Sequence, residues 1–184
     1  SVVDVDLGQL PTLGAPTYRV VHRRNWQGAS HLQVFGQIAA LAATWHPQHV
    51  VIDATGVGEG LWALLDKALP GRVHPVKFSL QKKSELGYAF LGAIETGRFR
   101  DCAPSDEVLR QYQNCFSEIL PGPQHSMRWG VRDGTRGPAG ELLHDDHVLA
   151  DALTAELDGL GWVPFLPTTI LQADDPIQWM NRNY

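Results

Sequence analysis

The stretch Val50-Val51-Ile52-Asp53-Ala54-Thr55-Gly56-Val57-Gly58 decides how the rest of the chain is read. Three apolar residues run into one aspartate, a glycine-rich turn follows, and Gly60-Leu61-Trp62-Ala63-Leu64-Leu65 then reads as a helix. A short apolar run bounded by turn residues is the pattern of a strand buried on both faces. A lone carboxylate is costly to bury. Asp53 therefore belongs at the strand's C-terminal end, facing a crevice, where open α/β sheets hold their ligands. Two roles for Asp53 stand open at this point: capping the helix that follows, or holding a metal or polar ligand.

Upstream of that strand, Val3, Val5 and Leu7 alternate with Asp4 and Asp6, which predicts a half-buried strand with the aspartates on its solvated face. A Gly- and Pro-rich loop over 8–16 leads to a returning strand over 17–24. Ser30 followed by Gln33 has capping-box spacing. Val34, Phe35, Ile38, Leu41, Ala42 and Trp45 then form one apolar helical stripe, ended by His46-Pro47. Downstream, the pattern predicts a helix over 59–69, a strand over 73–78 and a helix over 79–97 that closes on Gly97. A further helix is expected over 105–120, with Val108, Leu109, Tyr112, Cys115, Phe116 and Ile119 inward. Residues 128–131 and 141–143 read as the arms of a long-tipped hairpin, and 144–160 as a last helix. An antiparallel start followed by alternating strands and helices implies an α/β fold with a mixed central sheet flanked by helices on both faces. We expect one domain over 1–161 and a C-terminal tail over 162–184.

With 184 residues the chain is long enough for a real core. Its net charge of −5 argues against a globally basic nucleic-acid binder, so any DNA contact must come from a local patch. The two cysteines, Cys102 and Cys115, lack metal-type spacing, which fits a reducing compartment better than a disulfide framework. No apolar run approaches the roughly 18 residues of a membrane span, and no membrane partner is expected.

His144-Asp145-Asp146-His147 opens the last helix. Aspartates there either cap the backbone and favour the helix dipole, or join Asp53 as oxygen ligands for a hard divalent cation. Two such ions about 4 Å apart would activate a water and stabilise the leaving oxygen in phosphodiester cleavage. His144 and His147 read first as hydrogen-bonded structural residues, with zinc ligation the weaker alternative because no Cys or third His has suitable spacing. Lys77, Lys82 and Lys83 flank a strand end and a helix start, a setting that attracts phosphate. Arg128, Arg132 and Arg136 lie on the expected hairpin. Gly56-Val57-Gly58-Glu59-Gly60 also suggests a nucleotide cradle, but it lacks the full G-x-G-x-x-G, and Asp53 would repel a pyrophosphate there.

Taken together, Val50–Gly58, Lys83-Ser84-Glu85-Leu86-Gly87-Tyr88 with Gly97-Arg98-Phe99, and His144-Asp145-Asp146 give the chain a family likeness. Over residues 18–157 it resembles the nuclease domain of phage large terminases, the DNA-packaging motors. The resemblance implies an RNase H-like fold with an extra hairpin, and a two-metal endonuclease that cuts double-stranded DNA with little sequence preference. It implies two Mg2+ or Mn2+ ions, an upstream ATPase domain, portal and small terminase subunit partners, and the cytoplasm of an infected bacterial host. No G-x-x-x-x-G-K-[ST] pattern occurs in this chain, so the ATPase function is not expected within it. Carried over by position, Asp53 matches the family's second metal-binding acid and Asp146 its third, with Asp145 beside it. Lys82, Lys83, Arg128, Arg132 and Arg136 match elements the family places near DNA. The family's first acid lies either ahead of Ser1 or at Asp6. The alternatives are a nucleotide-binding module, or a catalytically silent module that docks DNA or the motor.

Overall fold

The computed structural model describes residues 1–162. Strand β1 (Val2–Asp6) and β2 (Thr17–His22) pair antiparallel, and β2 pairs parallel with the three-residue β5 (Phe99–Asp101). The turn between β1 and β2 holds one short helix, α1 (Leu10–Leu13). Strand β3 (Val50–Asp53) pairs parallel with β4 (Val73–Val76) in a second ladder, so the mixed parallel and antiparallel character expected from the sequence is present. Helices α2 (His31–Trp45), α3 (Gly58–Ala68) and α4 (Leu80–Glu95) follow β2, β3 and β4 in turn. The Ser30–Gln33 capping box forms in full, and His46 ends α2 in the left-handed region. The tail expected over 162–184 lies, apart from Trp162, outside the described residues.

Three expectations are corrected by the structure. The helix expected over 105–120 stops at α5 (Asp106–Gln113), and Cys115–Ile119 is strand β6 instead. Its partner is β7 (Met127–Val131), antiparallel, with Leu120 N donating to Ser126 O where the hairpin closes around Pro121-Gly122-Pro123. The hairpin therefore exists, but its arms are β6 and β7. The expected 128–131/141–143 pairing shrinks to a bridge between Arg136 and Leu142. The apolar spacing at 108, 112, 115 and 119 suits a helix as well as a helix followed by a strand, and the Pro-Gly-Pro turn decides the matter; Leu109 and Ile119, expected inward, are exposed. The last helix also divides, into α6 (Asp146–Ala152) and a 3₁₀ segment (Leu153–Gly159).

The core gathers β4, α4, β7, α6 and the 3₁₀ segment around Val76, Leu86, Phe90, Trp129, Val148 and Leu153. The hairpin is seated on α4 at its tip, where Tyr88 OH donates to His125 O at 2.7 Å, and along β7. Met127 N donates to Ser84 Oγ at 2.7 Å, Trp129 Nε1 donates to Lys83 O at 2.6 Å, and the Trp129 indole fills the space above Gly87. A Cβ on Gly87 would collide with that ring and crowd Met127 Sδ.

Beneath the core runs a buried ion-pair network. Asp151 of α6 is fully buried. It accepts from Arg23 Nη1 at 2.6 Å and Nη2 at 2.9 Å, from Tyr112 OH at 2.8 Å and from Ser1 Oγ at 2.9 Å. Arg23 also meets Asp101 at 2.9 Å. Burial, followed by the Asp151 charge, pushes the Tyr112 hydroxyl far above its ordinary range and keeps it a donor. A second network joins Arg98 and Tyr18 to Asp158, with both guanidinium bonds at 2.9 Å.

Strand β3, expected to be buried on both faces, is half-buried along its whole length, and α2 has no fully buried residue. Both line a groove of about 530 Å3 whose walls include Val3 and Val5 of β1, Ile38 and Leu41 of α2, Val50 of β3 and Leu153. Among the described residues β1 and β3 are not hydrogen-bonded to each other, so each keeps a free edge.

Asp151→Ala leaves Arg23 buried with Asp101, Ser1 and Ala103 as its partners, and removing one member of a buried pair costs about 3 kcal/mol. Urea unfolding should show that loss; a change below about 1 kcal/mol would mean that the network is incidental. Gly87→Ala overpacks the Trp129 seat, at about 1–3 kcal/mol. Its melting temperature should fall, and adding Trp129→Phe in the same chain should recover part of the loss.

Candidate functional site

Asp53 ends β3 half-exposed, as its sequence position implies. It does not cap α3: its Oδ1 accepts from Thr55 N at 2.8 Å, and Thr55 Oγ1 in turn accepts from Phe78 N at 2.8 Å. The residue before α3 is Val57, which provides no side-chain cap. The glycines of this turn serve the chain's own packing. Gly56 adopts a φ of 57°, and a Cβ on Gly58 would strike the Asp53 carbonyl oxygen. That explains Gly58 without a phosphate and weakens the nucleotide-cradle reading.

Asp145 immediately precedes α6, and its side chain makes no capping bond either. Its carboxylate faces Lys83, with Nζ 3.4 Å from Oδ2. On another side it lies against Gly130, where a Cβ would collide with Oδ2. Gly130 has a φ of 128° within β7, a close backbone approach that only glycine makes cheaply. Asp146 is exposed at the first position of α6. His147 N donates to Gln111 Oε1 at 2.8 Å, and the His147 ring lies 3.7 Å from Glu107. The residue is buried, but among the described residues its ring Nε2 has no hydrogen-bond partner, so the hydrogen-bonded ring expected from the sequence is not seen. Burial pushes the Cys115 thiol up, against a hydrogen bond from the Gly130 backbone and with the Asp145 charge adding to the rise.

The basic residues are used unequally. Lys83 lies on Asp145 and 5.3 Å from the centre of the Trp129 ring. Lys82 pairs with Glu156 at 2.7 Å and Lys77 with Glu59 at 2.8 Å. Arg132 stacks over the Phe116 ring at 4.3 Å, and Arg136 Nη1 donates to Gly140 O at 2.6 Å. Arg128 is exposed on β7. Asp6, the rival candidate for a first acid, turns the chain by accepting from Gly8 N at 2.8 Å.

Asp145, Lys83, Trp129 and Gly130 are thus brought together. Among the described residues no three His, Cys, Asp or Glu side chains stand together as a metal-holding group, so Asp53, Asp145 and Asp146 are not gathered into one. Sequence reasoning did not single out Trp129 and Gly130. The available signal was the isolated glycine inside a strand pattern, which marks a bulge or a close approach.

Comparison with known proteins gives three results. A family model described as the terminase RNaseH-like domain matches residues 15–119. A probable terminase, ATPase subunit, of Haemophilus phage HP1 (strain HP1c1) is 38% identical over 88 residues, 48% of this chain and 14% of that protein. The chain therefore spans a small part of that relative. Two crystal structures of the large terminase nuclease from thermophilic phage G20c share the fold at 19% identity. The one with bound cobalt has a TM-score of 0.59 over 84% of this chain and 79% of that one. The other has a TM-score of 0.56 over 84% and 80%. With the RNase H-like fold matched and more than half its length covered by the family model, this chain belongs to the terminase RNase H-like domain family.

Proposed function

We propose that this domain is a divalent-metal-dependent endonuclease of a phage DNA-packaging terminase, cutting double-stranded DNA with little sequence preference. The observation that carries the reading is that Asp53 and Asp145, each at the end of its element, are both released from helix capping. Aspartates without a capping task in a chain of this family are free to act as ligands. Their chemistry fits a hard cation: the donors are carboxylate oxygens, and Asp145 already holds an ammonium as a stand-in. Asp53, Asp145 and Asp146 would hold two Mg2+ or Mn2+ ions, which when bound supply an activated water and stabilise the leaving oxygen. The cobalt recorded with the G20c nuclease is consistent with a site of this kind.

The chain's own residues would do the rest. Arg128, Arg132 and Arg136 present positive charge on and beyond the hairpin, where a phosphate backbone can be followed without reading bases. Lys82 and Lys83 bring charge to the N-terminal turn of α4, whose free backbone N–H groups also favour phosphate. In the cell the domain would work with an ATPase domain of the same large subunit and with the portal and small terminase subunits, in the cytoplasm of an infected bacterium. One observation favours a second reading, a catalytically silent DNA- or motor-docking module: the three aspartates are not gathered as one group.

Plasmid nicking and linearisation with Mn2+ separates the two readings. The wild-type protein should cut, and Asp53→Asn and Asp146→Asn should each lose at least about a hundredfold in rate, a loss of about 3 kcal/mol in transition-state stabilisation. Equal cutting by wild type and Asp53→Asn would sink the assignment, and binding without cutting would favour the docking module. Arg128→Ala should weaken DNA binding uniformly across sequences and lower the salt slope by about one. An unchanged slope removes Arg128 from the DNA path.

A further inference from the structure

The contact between Lys83 and Asp145 links two residues to which the proposed function gives separate tasks, one on DNA and one on metal. Three features fix the lysine. Its backbone N–H donates to Ser79 O at 2.9 Å in the first turn of α4. Its carbonyl accepts the Trp129 indole at 2.6 Å, and its ammonium lies 5.3 Å from the centre of the same ring. The indole therefore holds both ends of Lys83 and directs its charge at the Asp145 carboxylate, 3.4 Å away. Asp145 is equally confined. Gly130 closes one side, and no capping bond draws the carboxylate toward the helix. The neighbouring lysines are engaged elsewhere, Lys82 with Glu156 and Lys77 with Glu59.

We propose that Lys83 is a built-in counter-cation that competes with a divalent ion for Asp145. The inference rests on the nuclease reading, since it takes Asp145 as a metal ligand. Two positive charges on one carboxylate repel each other, so an ion entering at Asp145 must push the ammonium aside or bind more weakly beside it. Lys83 is 37% exposed at its side chain and Asp145 26%, so the ammonium has solvent to move into and the pair is open to exchange. A phosphate arriving at the α4 N-terminus offers the displaced ammonium a second partner, which couples DNA arrival to metal loading. Lys83 is on this account a positioning and gating residue; its charge decides when Asp145 is available.

The test is Mn2+ titration by calorimetry on the folded domain without DNA. Lys83→Met should bind Mn2+ about fivefold tighter than wild type, and Lys83→Arg, which keeps the charge, should stay near wild type. With Asp145→Asn as background the gain should vanish, so that the double variant equals Asp145→Asn. A Lys83→Met protein that melts like wild type and binds Mn2+ no more tightly overturns the proposal. Should the methionine variant fail to fold, Lys83→Gln serves in its place under the same criterion. Failure of the competition alone leaves Mn2+ binding intact and equal in wild type and Lys83→Met, with cutting still abolished by Asp53→Asn. Failure of the nuclease reading appears as no Mn2+ binding by either protein, and that outcome overturns the competition as well.

Discussion

A single buried carboxylate sets the position of the acidic end of this molecule. Helix α6 is seven residues long, too short to hold itself together in water. It is held by Asp151, fully buried and bonded to Arg23, Tyr112 and Ser1, and by Gln111 accepting from His147 N at its first turn. Sliding α6 by one residue would take Asp151 off Arg23 and leave that carboxylate charged and unpaired in the interior, with Arg23 reduced to Asp101, which is strongly unfavourable. The register of the helix is thereby fixed, and with it the placement of Asp145 and Asp146. An ion pair that adds little net stability can still fix where a neighbouring group must be.

The hairpin supplies the opposing surface. Trp129 serves the core, the seat on α4 and the orientation of Lys83 together, while Gly130 gives Asp145 its place. The two adjacent lysines of α4 divide their work. Lys82 ties the helix to the 3₁₀ segment through Glu156, and Lys83 turns toward the acid. Contacts that look purely structural thus set the electrostatics of the proposed site. A substitution at Trp129 or Gly87 would alter the site without touching an acidic residue.

Much of this was legible in the chain because the signals are local. The Ser30–Gln33 box and the Val50–Asp53 run each carry their reason within a few residues. Asp53 at a strand end and Asp145-Asp146 at a helix start were likewise readable. What escaped depends on distance or on ambiguous period. Cys115–Ile119 continues an apolar spacing that a helix would also show, and three-residue β5 is too short to have a pattern. Asp151 looks like one polar break on an apolar helix until Arg23, 128 positions away, is folded onto it. Lys83 and Asp145, 62 positions apart, give no hint of each other in the sequence.

The divided sheet carries a consequence of its own. Among the described residues, strands β1 and β3 each present an edge without a ladder partner beside the same groove. Natural sheets blunt such edges with lysines, prolines or bulges, because an open edge is a template for any extended segment that meets it. Here the groove sets Val3, Val5, Val50 and Leu153 beside Asp4, His22, Arg24 and His49, and β1 carries one register shift between Val2 and Val3, so its edge is blunted only in part. Residues 1–162 in isolation are therefore predisposed to exchange strands with their own copies. Concentration, more than temperature, would then govern how long such a preparation remains monomeric.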